Sequence, residues 1–260
     1  MYNFEFEKPA TVEEAVAALK AEDAQPLSGG QTLIPTMKQR LNAPSKLVSL
    51  IGIDALKGVS AAGGVLTIGA GTTHATVAAE AGAYPALAAL AGGIGDPAVR
   101  NRGTIGGSLA NNDPAACYPA AALGSGATVV TNAREIAADD YFQGMFTTAL
   151  EEGEIITSVK FPIPEKANYQ KFEQPASRFA LTGVFVAKTA DGVRVAVTGA
   201  SEEGVFRWTE AEEALSANFS PEAVDGLSVP QDGLIGDLHG TPAYRASLIK
   251  TLTKRAVAAA

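Results

Sequence analysis

Hydrophobic positions along the chain change period several times, and each change marks an element. Val12, Ala15, Val16 and Leu19 recur at helical spacing behind Thr11, and Glu14 three residues after Thr11 completes a capping-box pattern. A helix of about ten residues is therefore expected over 12–21. AQPLSGG then reads as a short strand entering a glycine turn, and TLIPTMKQRL as a helical or irregular segment limited by Pro35. KLVSL is expected as a strand, GVSAAGGVLTIGA as a hairpin about Gly63-Gly64, and HATVAAEAG and PALAALAGG as two alanine-rich helices. Beyond them, DPAACYPAAAL reads as a helix opened by Pro114. ATVVTNAREIAA reads as a hairpin turning at Asn132-Ala133, and GEIITSVKFPIP as a strand stopped by prolines.

The character changes from Tyr169 onward. ALTGVFVAKTADGVRVAVTGA carries two long alternating strands about Asp191-Gly192, a clear hairpin signal. Helical patterns dominate after it, and the closing KRAVAAA reads as a fraying helix end. The polar PEKAN stretch is placed as a linker with a boundary at 165–168. This gives a larger mixed α and β domain over 1–166 and a smaller α+β domain over 167–260. The chain contains no repeat of solenoid period.

Two glycine turns carry the candidate chemistry: SGGQT at 28–32 and TIGGS at 104–108. A Gly-Gly pair after a strand lets backbone N–H groups converge on one point, and such a nest holds a phosphate without a side-chain cation. Ser28, Gln31 and Thr32 add side-chain donors at the first turn. Taken alone, either pair serves equally as a tight turn. Thr104, Gly106, Gly107 and Ser108 repeat the chemistry, and Asn111, Asn112 and Asp113 follow with groups suited to sugar hydroxyls. Two cradles suit a pyrophosphate, hence a dinucleotide. No G-x-x-x-x-G-K-[ST] pattern occurs, which excludes a P-loop. TIGAGTTHA imitates a dinucleotide fingerprint but has His74 at the third glycine and no acidic residue about twenty positions on, so it is expected as a third cofactor-lining turn.

Composition narrows the picture further. The 260 residues are 47% hydrophobic with a formal net charge of -8 and no basic cluster interleaved with aromatics, so nucleic acid is not an expected partner. The longest apolar runs are too short to span a bilayer. The acidic N-terminal segment lacks the features of a secretory signal, and a cytoplasmic location is expected. Cys117 is the only cysteine, which excludes an internal disulfide and a cysteine-ligated iron–sulfur cluster within this chain. His74 and His239 are the only histidines, so a metal site is not expected.

SGGQTLIPTMK, TIGAGTTHA, GDPAVRNRGTIGGSLANNDPAA, GEIITSVKFP and YQKF before a hairpin together resemble the FAD-binding medium subunit of the molybdenum hydroxylase family. That subunit is found in aerobic carbon monoxide dehydrogenase and is related to the flavin domain of xanthine dehydrogenase. The similarity runs from about residue 3 to 200, and the last sixty residues match only in length and helical character. The resemblance implies an α+β protein: a PCMH/VAO-like FAD-binding fold of two subdomains, then a smaller α+β domain with a three-stranded antiparallel sheet and helices. It implies non-covalent FAD in an electron-transfer subunit. The partners would be a large subunit with the molybdenum cofactor and a small subunit with 2Fe-2S clusters, in a dimer of heterotrimers, with no catalytic acid, base or nucleophile in this chain. A stand-alone FAD oxidoreductase of the same fold and a non-catalytic nucleotide-binding module are the alternatives.

Residue by residue, Ser28, Gly29, Gly30, Gln31 and Thr32 match the first pyrophosphate segment, with Leu33 following in the same stretch, and Thr104, Ile105, Gly106, Gly107 and Ser108 match the second. Ile94 falls where relatives place a residue against the isoalloxazine ring, a core position at a helix end being the other reading. Cys117 stands where relatives have an acidic residue that binds a cofactor hydroxyl. Asp113 either takes over that role or caps the helix expected after it. Lys171 either faces the ring edge or is a solvated lysine, and Arg178 stands where several relatives have Asp.

Overall fold

A computed structural model describes all 260 residues. The first segment runs β1 (Glu5–Glu7), α1 (Val12–Ala18), β2 (Ala24–Leu27), α2 (Leu33–Lys38) and β3 (Lys46–Ser49), with both outer strands parallel to the central β3. Thr11 caps α1 by accepting from the Glu14 amide. The Glu14 carboxylate reaches back to Ala10 N–H, so the capping box closes one residue early. The helix is seven residues long, shorter than its pattern suggests, because the chain turns at Leu19 to put Ala15 and Leu19 against Val48 and Leu50.

The middle segment holds β4 (Val59–Ala62), β5 (Val65–Gly69), α3 (His74–Glu80), α4 (Pro85–Gly92), α5 (Pro97–Arg100), α6 (Ile105–Asn111), α7 (Tyr118–Ser125), β6 (Thr128–Thr131), β7 (Glu135–Ala137), α8 (Ala138–Tyr141), β8 (Phe142–Gly144), β9 (Thr147–Thr148) and β10 (Ile156–Pro162). Five of its strands form an antiparallel sheet in the order β4-β5-β10-β6-β7. Both hairpins expected here are present, turning at Gly63-Gly64 and at Asn132-Ala133.

The last segment is a four-stranded antiparallel sheet of β11 (Lys166–Glu173), β12 (Ala180–Thr189), β13 (Gly192–Thr198) and β14 (Phe206–Arg207), with α9 (Thr209–Ala217) and α10 (Pro242–Ala259) packed on it. The short β14 extends the expected three strands. Lys166 to Asn168, read as linker, are already strand, since their backbone pairs with Val186 to Lys188. Alternation along β12 divides the interior. Phe185 and Ala187 face α7 and the middle sheet, while Val184 and Val186 face α9 and α10.

All eight residues of α7 are buried. Alanine and glycine allow this: a Cβ on Gly124 would stand 2.9 Å from the Phe185 ring, so the sheet seats directly on the helix. The closing KRAVAAA stretch, expected as a fraying helix end, continues α10 to Ala259. Ala256 and Val257 are buried, and Asn168 donates to the Ala259 carbonyl. Arg245 in α10 is buried, pairs through Nη2 with both Asp237 oxygens at 2.9 Å, and donates to the Leu181 and Gly199 carbonyls at 2.6 and 2.7 Å. Replacing it by Leu strands these acceptors, and Arg245→Leu is expected to cost about 3 kcal/mol of unfolding free energy, read from urea midpoints at constant m-value. An unchanged midpoint would show that the guanidinium holds nothing together.

Candidate functional site

Strand β2 delivers Ser28-Gly29-Gly30 to the edge of the first sheet, and α6 starts directly opposite. The Ser28 and Thr104 hydroxyls meet at 2.8 Å and join the two turns. Gly29 lies flat on the backbone of the second turn, where a Cβ would stand 2.1 Å from the Arg102 carbonyl oxygen. Gly30 has φ +69°, which turns the chain into α2 at little steric cost. The consequence is a run of free donors: the amides of Gly29, Gly30, Gln31, Thr32 and Leu33 have no acceptor within the chain.

The second turn is built differently. Ile105 N–H donates to Thr72 O, Gly106 N–H to Ala70 O, and Gly107 N–H to the Thr104 hydroxyl of its own cap. The twin-cradle expectation is corrected to this extent: five successive amides are free at 29–33, whereas the second turn leaves free only the amide of Thr104. Ile105 is also corrected as a lining residue, since its side chain is fully buried in the core at the first position of α6. What the second turn offers is the Thr104 and Ser108 hydroxyls and an approach without Cβ at Gly107. A Cβ there would stand 3.0 Å from Thr104 Oγ1 and 3.8 Å from Ser28 Cβ, across the seam. The TIGAG turn supplies the carbonyls that take up the second turn's amides, and its Ala70 and Gly71 line the same cleft.

The cleft that opens from this seam has a volume of about 630 Å³, within the usual range for a cofactor site. Ser28, Gly29, Gly30, Gln31, Thr32, Leu33, Ile94, Thr104, Gly106, Gly107, Ser108, Asp113, Cys117 and Lys171 all line it. His74, in the stretch expected as a third cofactor-lining turn, lines the cleft, whereas sequence reasoning did not assign Val99, Leu150, Ile156 or Phe179 to this wall. These are apolar residues in ordinary periodic patterns, and nothing in their spacing distinguishes a cleft wall from core.

Asp113 does not cap a helix at Pro114. Its carboxylate accepts from Ala115 N–H, and Thr198 Oγ1 donates to the Pro114 and Ala116 carbonyls, so this stretch is a pinned turn and α7 starts only at Tyr118. Cys117 sits at the junction, buried, with its thiol pKa pushed up chiefly by burial. Lys171 is not solvated: its side chain is 7% exposed, and Nζ lies 3.9 Å from the Cys117 sulfur. Arg178 carries φ +59° in the β11–β12 loop and also faces the cleft.

His74 opens α3 with 5% exposure, and its Nδ1 has no partner. Burial, with the Arg100 charge adding, lowers its pKa to about 4, so the imidazole is neutral at ordinary pH. No group of three or more His, Cys, Asp or Glu residues is arranged to hold a metal, and no helix is long and apolar enough to cross a membrane. The site thus presents converging amides and hydroxyls beside apolar walls.

Residues 2–164 match the family described as FAD binding domain in molybdopterin dehydrogenase. The chain belongs to this family. The chain is 35% identical to the nicotine 6-hydroxylase medium subunit of Paenarthrobacter nicotinovorans, covering 97% of this chain and 95% of that one. It is 31% identical to the carbon monoxide dehydrogenase medium chain of Hydrogenophaga pseudoflava, over 99% and 96%. Among solved structures, quinoline 2-oxidoreductase from Pseudomonas putida 86 aligns with a TM-score of 0.88 at 29% identity, covering 100% of this chain and 97% of that one. As an FAD-binding family member, the chain is a component of the oxidoreductase class, and its unspent amides and Cβ-free seam fit a pyrophosphate.

The depressed His74 pKa fixes a pH dependence. The unfolded chain takes up this proton near pH 6.5, while the folded chain resists it down to about pH 4, so stability is lost as pH falls through that window. Unfolding free energy is expected to drop by roughly 2 kcal/mol from about pH 8 to pH 5. Chemical denaturation across that range should show the slope between pH 6.5 and 5 largely removed in His74→Gln; a slope that survives the substitution belongs to another group.

Proposed function

We propose that this chain is the FAD-carrying electron-transfer subunit of a molybdenum-containing hydroxylase complex. It takes electrons from iron–sulfur clusters of a small partner subunit and passes them to an external acceptor, while a large partner subunit holds the molybdenum cofactor. The observation that carries the reading is the run of unspent amides at 29–33 facing, across the Ser28–Thr104 bond, a turn that lacks a Cβ at Gly107. FAD held here would supply the chemistry that couples single-electron arrival to two-electron delivery. The single cysteine supports placing the clusters in another chain, with electrons arriving across an interface.

Within this reading the chain's own groups divide the work. The amides of Gly29 to Leu33 would hold the pyrophosphate by converging hydrogen bonds, stabilising its charge without a cation. The hydroxyls of Thr104 and Ser108 and the Asp113 carboxylate bind the sugar and ribityl oxygens. Ile94 and Phe179 supply apolar walls for planar rings and keep water from them. A division at 166/167 is supported by the family match ending at 164 and by the separate valine-rich core under β12 and β13. The dimer of heterotrimers belongs to the same proposal, and the relatives named as medium subunits support a multi-subunit setting.

Acid treatment of the purified chain or complex is expected to release one FAD per chain into solution, and FMN is not expected to reconstitute the stripped protein, because it lacks the pyrophosphate. Flavin that stays with the denatured protein, or FMN binding as tightly as FAD, overturns the assignment of the 29–33 amides.

Cys117 offers a second test. An introduced carboxylate would find the Lys171 ammonium, now 3.9 Å from the sulfur, and so would not be buried without a partner. Cys117→Asp is therefore expected to tighten FAD binding by about 0.5 to 1.5 kcal/mol, the net size of one added hydrogen bond, with the melting temperature of the FAD-free protein retained. Loss of apo stability in the variant would show that desolvation outweighs the ion pair.

A further inference from the structure

Three successive carbonyls on one cleft wall, those of Gly93, Ile94 and Gly95, accept hydrogen bonds from side-chain cations. Arg100 Nη1 donates to Ile94 O at 3.1 Å and Gly95 O at 2.9 Å, and Lys171 Nζ donates to Gly93 O at 2.6 Å. The same Lys171 nitrogen donates to Arg178 O at 2.9 Å in the loop that carries Phe179. None of these four carbonyls accepts from a backbone amide, so the two cations are their only donors within the chain. Ile94 and Phe179 both line the cleft, and they hang from the segments that Lys171 ties together.

We infer that Lys171 and Arg100 are positioning residues that set the spacing between the Ile94 wall and the Phe179 wall. This rests on the cofactor reading above and adds to it how the walls are held. The cations come from different parts of the fold, Arg100 from the end of α5 and Lys171 from β11 of the last sheet. One ammonium bonded to both walls fixes their separation, whereas uncharged side chains at these positions would leave each turn hinged only at its ends. Lys171 suits the task. Its nearest carboxylate, Glu173 at 3.6 Å, is half exposed, so much of its hydrogen-bonding capacity inside the protein goes to the two carbonyls. Gly93 directly follows α4, and the negative end of that helix favours a cation there. Charge-assisted bonds of this kind are roughly twice as strong as neutral ones. A gap fixed before binding spares a planar ring the cost of ordering its own walls.

The test compares Lys171→Met, which keeps the length of the stem and removes the charge, with Lys171→Arg, which keeps the charge, and uses Leu215→Ala, a truncation in the valine-rich core beneath α9, as a destabilised control. Hydrogen exchange of segments 93–96 and 176–180 in the FAD-free full chain is expected to accelerate in Lys171→Met and to be restored in Lys171→Arg, with Leu215→Ala leaving both segments as in the native chain. In FAD titrations Lys171→Met is expected to weaken binding about tenfold, the effect of one charge-assisted hydrogen bond, and to change the visible circular dichroism of the bound flavin. Unchanged exchange in both segments overturns the inference, as does a loss of affinity that Leu215→Ala reproduces. A native chain that binds no FAD yet shows the exchange effect refutes the cofactor reading and leaves the two-cation brace standing.

Discussion

The site depends on backbone lying directly on backbone. Gly29 rests on the Arg102 carbonyl, Gly106 on Ala70, and Gly69 on Leu56, each closer than any Cβ permits. These contacts are ordered in space as one stack, from the 3-10 turn at Asp54–Leu56 through the TIGAG and TIGGS turns to SGGQ. Two hydroxyl contacts lock its ends: Thr72 Oγ1 accepts from the Gly58 amide and donates to the Gly58 carbonyl, and the Ser28 hydroxyl meets that of Thr104. A methyl group at any of the stacked glycines separates two layers by more than a hydrogen bond can stretch, so the cost is a lost turn and not a small cavity. Sequence-distant segments thereby behave as one rigid floor.

The same economy of volume recurs in α7. Its alanines and glycines let the middle sheet and the last sheet close on it from both sides, which brings β11 near the start of the helix. That closeness explains why a lysine on a sheet strand touches both a cysteine at a helix start and the carbonyl after α4. The cleft walls therefore come from both packing units, while its floor comes from the glycine stack. Large side chains in α7 would move the last sheet outward and with it the Phe179 wall.

Much of this was legible in the chain. Alternation about Asp191-Gly192 gives β12 and β13 because each face meets a different core, and the paired glycine turns mark the cleft floor because few other residues fit there. Three features were not legible for identifiable reasons. Whether an amide is free or spent depends on what lies opposite, so the difference between SGGQ and TIGGS appears only once Ala70 and Thr72 are in place. The start of α7 was displaced because Asp113 and Thr198 pin the Pro114 turn, and Thr198 is remote in sequence. Whether Lys171 faces a ring edge or solvent stayed open because its acceptors are backbone carbonyls, which leave no trace in residue identity.

The unequal turns bear on how such a subunit comes into being. The TIGGS half of the floor spends the amides of Ile105 to Ser108 on acceptors within the chain, so its form is set as the polypeptide folds. The SGGQ half exposes its donors to water until something anionic arrives. Biogenesis can then proceed in two stages, first a mature scaffold released from the ribosome without its prosthetic group, then insertion at a single hydrated edge. Such a division lets synthesis of the polypeptide run ahead of the supply of the prosthetic group without committing the chain to misfolding.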